Sequence, residues 1–146
     1  MRRTGIHLLV ILSLVVGAAA AVDAAVVTDR ERLEEFVDAV TGKVSENRID
    51  NALRYADPTR MTMDLVHNGR RHRYTDRNAS KLKPDARKAL APLSDSHVSL
   101  LQENIHLEGE RARIALRLRT PHGFANTVFD LSRENNDWLL RRVTVN

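Results

Sequence analysis

The stretch that decides the fold is VSLLQENIHLEGERARIALRLRTPHGFANTVFDLSRENNDWLLRRVTV, residues 98–145. Apolar and polar residues alternate through most of it, and short segments containing Gly, Pro or Asn interrupt the alternation. A period of two residues is typical of strands that bury one face. The pattern predicts an antiparallel meander of four strands, Val98–Leu107, Arg111–Arg119, Phe124–Ser132 and Trp138–Val145.

The predicted turns between these strands set a register, with the first tight turn at Glu108-Gly109. The register sorts the side chains onto two faces. One face is almost wholly apolar and carries Leu101, Ile105, Ala112, Ile114, Leu116, Leu118, Phe129, Leu131, Trp138 and Leu140. The other face has a row of alternating charge, in which Arg113 lies beside Asp130 and Asp130 beside Arg141.

Upstream, the sequence predicts two helices, a hairpin and a third helix. The first helix ends at Gly42, the second covers Glu46–Ala56, and the third runs from near Pro84 to just before Pro92. Asn68-Gly69 lies between two alternating runs and favours a two-residue hairpin turn that places Asp64 opposite Arg73. The basic tip of this hairpin is interpreted as a solvated charged surface.

The N-terminal segment has a basic start, an apolar run from Ile6 to Val16 and then small residues, the order typical of a secretory signal peptide. We predict a signal peptide over residues 1–25, cleaved between Ala20 and Ala25, and a single domain over residues 26–146. The protein is then exported, periplasmic or secreted from a bacterium, with no stable membrane anchor after cleavage. The chain has no cysteine, which excludes disulfides, zinc–thiolate sites and cysteine nucleophiles.

Charge and motifs exclude further classes of function. The net charge of +4 includes two arginines of the predicted signal peptide, and charges of both signs alternate along the chain. This distribution argues against a dedicated nucleic-acid surface. The sequence has no pair of histidines at i, i+4 spacing with an acid, no glycine-rich phosphate loop and no G-x-S-x-G motif. We therefore predict no metal, no cofactor and no nucleic-acid partner.

Three segments carry a family resemblance: ALRYADP at 52–58, LEGERARIALRLR at 107–119 and NNDWLLRRVTV at 135–145. With these segments and the order of two helices, a hairpin, a third helix and a meander, the chain resembles the nuclear transport factor 2-like superfamily. This superfamily includes ketosteroid isomerase and the SnoaL-type polyketide cyclases. The resemblance implies an α+β domain in which N-terminal helices pack on a strongly curved, cone-like antiparallel sheet. It also implies a small-molecule pocket at the open end of the cone and dimers formed through the sheet.

The predicted register places two charged side chains on the apolar face, Glu103 opposite Ile114 and Arg142 beside Phe129. We predict a pocket lined by Tyr55, His72, Tyr74, Glu103 and Arg142. A carboxylate in an apolar cavity can act as a general acid or base, so Glu103 is the candidate catalytic residue. The alternative is that Glu103 lies at the sheet edge with its carboxylate in water.

Two functions follow from these expectations. The leading hypothesis is a non-catalytic module that binds a small apolar ligand or a partner protein, because the polar lining of the cone is thin. The alternative is a cofactor-independent lyase or isomerase of the ketosteroid isomerase or SnoaL type that uses Glu103. Val128, Val143 and Val145 are predicted to form an apolar patch on the outer sheet face, where a homodimer would form.

Overall fold

The computed structural model describes residues 28–146. The predicted signal peptide and the predicted start of the domain at residue 26 lie outside the described residues. One compact unit spans Leu33–Asn146, and of the rest the structure describes only the first residues of the first helix. Within the described residues, helices and one large sheet form an α+β fold, as predicted.

The helices of the described residues are α1 (Thr28–Val40), α2 (Glu46–Leu53) and α3 (Leu82–Leu90). The strands are β1 (Gly42–Lys43), β2 (Met63–His67), β3 (Arg70–Tyr74), β4 (His97–Glu108), β5 (Arg111–Thr120), β6 (Gly123–Glu134) and β7 (Asp137–Val145). Short 3-10 turns at Ala79–Lys81 and Ala91–Leu93 flank α3. Across residues 28–146, no helix combines the length and hydropathy that a membrane crossing requires.

The strands form one curved, unclosed sheet in the order β1-β4-β5-β6-β7-β2-β3. The register of the β2–β3 hairpin is as predicted, with Asp64 opposite Arg73 around the Asn68-Gly69 turn. The predicted meander is present as β4 to β7. The sheet is mixed, because β2 pairs with β7 in parallel while the other neighbours are antiparallel.

The inner face of the sheet is the face that packs against α1. Phe36 of α1 is fully buried, and its ring makes edge-on contacts with the rings of Tyr55 and Phe129 at centroid distances of 5.0 and 4.9 Å. Leu33 of α1 and Ile114 of β5 are also fully buried. Aliphatic and aromatic side chains therefore fill the space between α1 and the centre of the sheet.

The register between β4 and β5 differs from the prediction. Glu108 pairs with Arg111, so the turn consists of Gly109 and Glu110, and Glu103 faces Leu116 where Ile114 was expected. A bulge at Leu101 then reverses the alternation of the preceding residues. Leu100 consequently lies opposite Leu118 on the inner face, and Leu101 is the unpaired residue.

A second bulge, at Arg141 of β7, changes four predicted positions. Leu140 pairs with Leu131 as an inner residue, but the next pair is Arg142 with Asp130 on the outer face. Arg142 was predicted to lie on the inner face, and Arg141 beside Asp130, so both assignments are wrong. One extra residue in a strand transfers every following side chain to the opposite face.

The same bulge places Val143 opposite Phe129 and Val145 opposite the buried Thr127, so both valines belong to the inner face. Val128 pairs with Thr144 and lies on the outer face. The predicted patch of three valines on one face is therefore wrong.

Candidate binding face

The five residues predicted to line a pocket are not brought together. His72 and Tyr74 lie on β3 and Glu103 lies on β4, and four strands of the sheet separate β3 from β4. Arg142 is on the outer face, and Glu103 is exposed to solvent at its inner-face position. Glu103 and Arg142 therefore lie on opposite faces of the sheet and cannot line the same pocket.

Two of the predicted pocket residues, Tyr74 and Tyr55, make contacts that connect elements of the fold. The Tyr74 hydroxyl donates a hydrogen bond of 2.9 Å to Asp85 Oδ2 of α3. Burial, together with this hydrogen bond and the charge of Asp85, raises the pKa of Tyr74 to about 12. Burial, followed by the charge of Glu35, raises the pKa of Tyr55, whose ring packs against Phe36. Each phenol therefore stays protonated and joins a helix to its surroundings.

A groove of about 440 Å³ lies on the helical side of the unit, between the end of α2 and the start of α3. It is lined by Asp50, Leu53, Arg54, Ala56, Asp57, Pro58, Ala79, Ser80, Leu82 and Lys83. None of the five predicted pocket residues lines it. Asp50 is held there by Lys83 and Arg87, at 3.0 and 3.5 Å.

The outer face of the sheet carries a concentration of arginines that we call the arginine face. Cross-strand pairing places its members on one side of the sheet from β5 to β3. Its charged members are Arg71, Arg73, Arg113, Arg117, Arg119, Arg142, Asp64 and Asp130, and its other members are Val66, Ala115, Phe124, Asn126, Val128 and Thr144. The face crosses five adjacent strands.

Asp64 of β2 lies at the centre of a cluster of arginines on this face. It is only 7% exposed, and it accepts hydrogen bonds from Arg73 Nε at 2.8 Å and from Arg73 Nη2 at 3.2 Å. Arg71 and Arg142 approach the Oδ2 atom of the same carboxylate at 3.9 Å. The hydrogen bond from Arg73, with the charges of all three arginines, lowers the pKa of Asp64 although burial acts in the opposite direction.

The second aspartate of the row, Asp130 on β6, is paired in the same way. Arg113 Nε donates a hydrogen bond of 2.8 Å to Asp130 Oδ1, and Arg142 is the cross-strand neighbour of Asp130 on its other side. The row reads Arg113, Asp130, Arg142, Asp64, Arg73 across the sheet. Both carboxylates are paired with arginines. Because the face has more arginines than aspartates, its net charge is positive.

The next row of the face is small and apolar. Pairing places Ala115, Val128, Thr144 and Val66 side by side on four strands, and each is half-buried. The stems of arginines can cover apolar surface while the guanidinium groups remain in water. An apolar strip bordered by cations has the composition of a protein-binding surface, in which Arg is enriched.

One end of the face carries an exposed aromatic ring. Phe124 is 61% exposed, and the guanidinium carbons of Arg117 and Arg119 lie 5.4 and 5.5 Å from its ring centroid. Within residues 28–146, neither arginine forms an ion pair with a carboxylate. Aromatic and arginine side chains contribute most of the energy in many protein interfaces. This cluster is therefore suited to anchor a ligand that carries negative charge.

Sequence reasoning found part of this face. It predicted the Asp64–Arg73 pair and the Arg113–Asp130 pair. It missed Arg142, Thr144 and Phe124. The doubled residues in Leu139-Leu140-Arg141-Arg142 break the alternation and are the signal that could have revealed the bulge. In the described part of the chain, no group of three or more His, Asp or Glu side chains could hold a metal ion.

The comparisons with known proteins identify the fold. No protein-family model and no curated protein sequence matches the chain. Among solved structures, a protein of unknown function with a cystatin-like fold from Nostoc punctiforme superposes with a TM-score of 0.60 at 12% identity, over 80% of this chain and 89% of the other. A candidate ketosteroid isomerase from Parabacteroides distasonis gives 0.57 at 9% identity, over 77% and 83%.

A DUF4783 family protein from Bacteroides uniformis is similar as well, with a TM-score of 0.55 at 10% identity over 77% of this chain and 94% of the other. At these identities the similarity shows the fold alone. The predicted nuclear transport factor 2-like fold is confirmed. This fold carries both binding modules and isomerases, so the function has to be argued from the surfaces of this chain.

Proposed function

We propose that this chain, which has the nuclear transport factor 2-like fold, is a non-catalytic binding module whose arginine face receives an acidic protein partner. The observation that supports the proposal is the exposed Phe124 beside Arg117 and Arg119, two cations without a carboxylate partner in the described residues. Side chains at the other end of the face satisfy their own charges through Asp64 and Asp130.

The charge of the face argues against a second copy of the chain as its partner. Two arginine faces placed together would oppose like charges, which costs several kcal/mol when water is excluded. A partner with Asp and Glu around an apolar centre would complement both the arginines and the strip formed by Ala115, Val128 and Thr144. This proposal therefore replaces the predicted homodimer through the outer face with a complex between this chain and a different protein.

The catalytic alternative has little geometric support. Glu103 is exposed at the edge strand β4, and the hydroxyl of Tyr74 is engaged with Asp85 across the sheet. A general acid or base has to lie within hydrogen-bonding distance of the proton it transfers, in a site that holds the substrate. Turnover of a hydroxy-ketone or polyketide-like compound by the purified protein, abolished in a Glu103→Gln variant, would establish the alternative and overturn the proposal.

The binding proposal is tested with poly-L-glutamate as the probe. We expect the protein to bind fluorescent polyglutamate with an affinity that falls as salt rises, since exposed charges are screened beyond about 8–10 Å at physiological ionic strength. The double variant Arg117→Ser/Arg119→Ser removes two charges that have no carboxylate partner in the described chain. It should weaken binding by about tenfold or more.

A matched control removes the same charge elsewhere. Arg54→Ser/Lys88→Ser alters exposed positions on and next to the helices and should change the affinity by less than about twofold. Equal losses in the two double variants would show that net charge alone attracts the probe, and would overturn the proposal. Tighter, face-dependent binding of single-stranded DNA or of anionic vesicles would assign the face to that class of ligand instead.

A further inference from the structure

The open edge of β4 is a second surface of the molecule, and it is not part of the arginine face. β4 runs from His97 to Glu108, but β1 pairs with it only at His97 and Val98. In the described chain, residues 99–108 therefore have a strand neighbour on one side alone. An unpaired edge presents a row of free backbone N–H and C=O groups on which another strand can form.

Several large apolar side chains along this edge are exposed to solvent. Leu100, Leu101 and Leu107 are 39%, 44% and 38% exposed, and they are three of the four large hydrophobic residues exposed in the described chain. No lysine or proline occurs between residues 99 and 108, although these residues commonly protect natural edges. The edge thus combines free hydrogen-bonding groups with apolar surface.

From these features, and resting on the function proposed above, we infer that an extended segment of the acidic partner adds to β4 as a further strand. The two faces of β4 define what this segment must carry. On the inner side it would lie beside Leu100, Glu103, Ile105 and Leu107, so its residues next to the three aliphatic side chains are apolar. On the outer side it would lie beside Gln102, Asn104 and His106, with the arginines of β5 one strand further in.

Charge selects acidic residues for the outer positions of the segment. Arg113 and Arg117 pair with His106 and Gln102, so an added strand lies two strand spacings, about 10 Å, from their backbone. This distance is comparable with the Debye length, and the long side chains of arginine and glutamate shorten it. The occupant is consequently a segment of alternating apolar and acidic residues.

A second copy of β4 is disfavoured as the occupant by Glu103. This carboxylate points to the inner side of the edge strand, and antiparallel pairing of two copies would bring two such carboxylates to one seam. It would also place two arginine faces next to each other.

The test uses a short acetylated peptide of alternating valine and glutamate, with a valine–lysine peptide of the same length as control. We expect the acidic peptide to bind and to slow hydrogen exchange at alternate N–H groups of residues 99–108, measured by NMR. Leu107→Ser, which removes an exposed apolar contact from the edge, should weaken binding by about tenfold. The lysine peptide should produce no protection.

The outcomes separate this inference from the proposed function. Binding of polyglutamate without binding of the peptide, or peptide binding that leaves residues 99–108 unprotected, overturns strand addition and leaves the function of the arginine face intact. Failure of both probes overturns both proposals. Protection of the β4 edge that rises with protein concentration in the absence of peptide would assign the edge to a second copy, and would also overturn the inference.

Discussion

At the scale of single residues, Asp64 shows how a carboxylate is buried on the outer face of this sheet. Its carboxylate lies on the outer face of the sheet, yet the three arginines around it leave it almost inaccessible to water. A carboxylate in such surroundings is stable only because Arg73 supplies two hydrogen bonds. Removing the carboxylate would leave three cations facing each other.

We expect Asp64→Asn to lower the free energy of unfolding by about 1.5–3 kcal/mol, the contribution typical of hydrogen bonds to charged groups. Urea unfolding at neutral pH measures the change. Asp76→Asn, at an exposed position of the same charge, should stay within about 0.5 kcal/mol of the wild type. An equal effect of the two substitutions would contradict the stabilising role given to the two hydrogen bonds from Arg73 to Asp64.

The pH dependence of stability follows from the same residue. The hydrogen bond from Arg73 lowers the pKa of Asp64 in the folded protein, whereas the unfolded chain has a value near 3.9. The stabilisation is therefore complete above the unfolded pKa and is lost as the pH falls through the folded pKa. We expect the stability difference between the wild type and Asp64→Asn to shrink below about pH 4. A difference that stays constant in acid would contradict this.

At the scale of elements, one hydrogen bond connects α3 to the sheet. The Tyr74 hydroxyl of β3 donates to Asp85 in the first turn of α3, and Leu82 is the only residue of this helix that is buried. A short helix with so little apolar burial depends on such tertiary contacts. The hairpin and α3 are therefore expected to move as one element.

We expect Tyr74→Phe to lower the free energy of unfolding by about 1.5–3 kcal/mol, because the lost hydrogen bond has a charged acceptor. Hydrogen exchange should accelerate in α3 before it changes in β5 and β6. Tyr55→Phe is the matched control, since no hydrogen bond of the Tyr55 hydroxyl to the described residues is seen. If α3 exchanged at the wild-type rate in Tyr74→Phe, the anchoring role would be wrong.

Alkaline titration provides an independent check on the same contact. The folded pKa of Tyr74 is about 12 and the unfolded value is near 10. Since the folded pKa is the higher one, the stabilisation is complete below about pH 10 and is lost as the pH rises towards the folded value. Absorbance of the phenolate should show Tyr74 ionising well above pH 10, and that step should be missing in Tyr74→Phe.

The strands are the elements for which periodicity alone was misleading. Leu100-Leu101 and Leu139-Leu140-Arg141-Arg142 repeat a residue class where strict alternation would change it, and each repeat coincides with a bulge. A strand read with a constant period of two assigns every residue beyond such a point to the wrong face. Arg142, Val143 and Val145 were misplaced for this reason.

At the scale of the whole molecule, the interior described between α1 and the sheet is a packed core. Phe36 occupies its centre, with Tyr55 and Phe129 against its ring. The nuclear transport factor 2-like fold is associated with a pocket at the open end of the cone. In this chain, large aromatic and aliphatic side chains fill the part of the interior that lies between α1 and the centre of the sheet.

We expect Phe36→Ala to destabilise the protein by about 3–5 kcal/mol, as large aromatic truncations in cores do. If the variant folds, the apolar cavity should bind benzene, and benzene should raise the melting temperature of the variant but not of the wild type. Phe124→Ala makes the same truncation at an exposed site and should cost about 1 kcal/mol or less. Stabilisation of the wild type by benzene would indicate a pre-existing cavity.

The sequence by itself determined the fold class, the order of elements, the hairpin register and the apolar face of β5 and β6. These properties depend on periodicity and turn chemistry, which are local, so residues such as Asn68, Gly69, Ile114 and Phe129 carry them directly. It also indicated the signal peptide, which remains a prediction.

Only the tertiary structure decided the two bulges, the parallel pairing of β2 with β7 and the exposure of Glu103. Each of these depends on contacts between segments far apart in the chain, where the free energy of packing the whole sheet selects the register. The arginine face exists for the same reason. Asp64 and Arg142 are neighbours because β2 closes onto β7, and no spacing along the chain encodes that pairing.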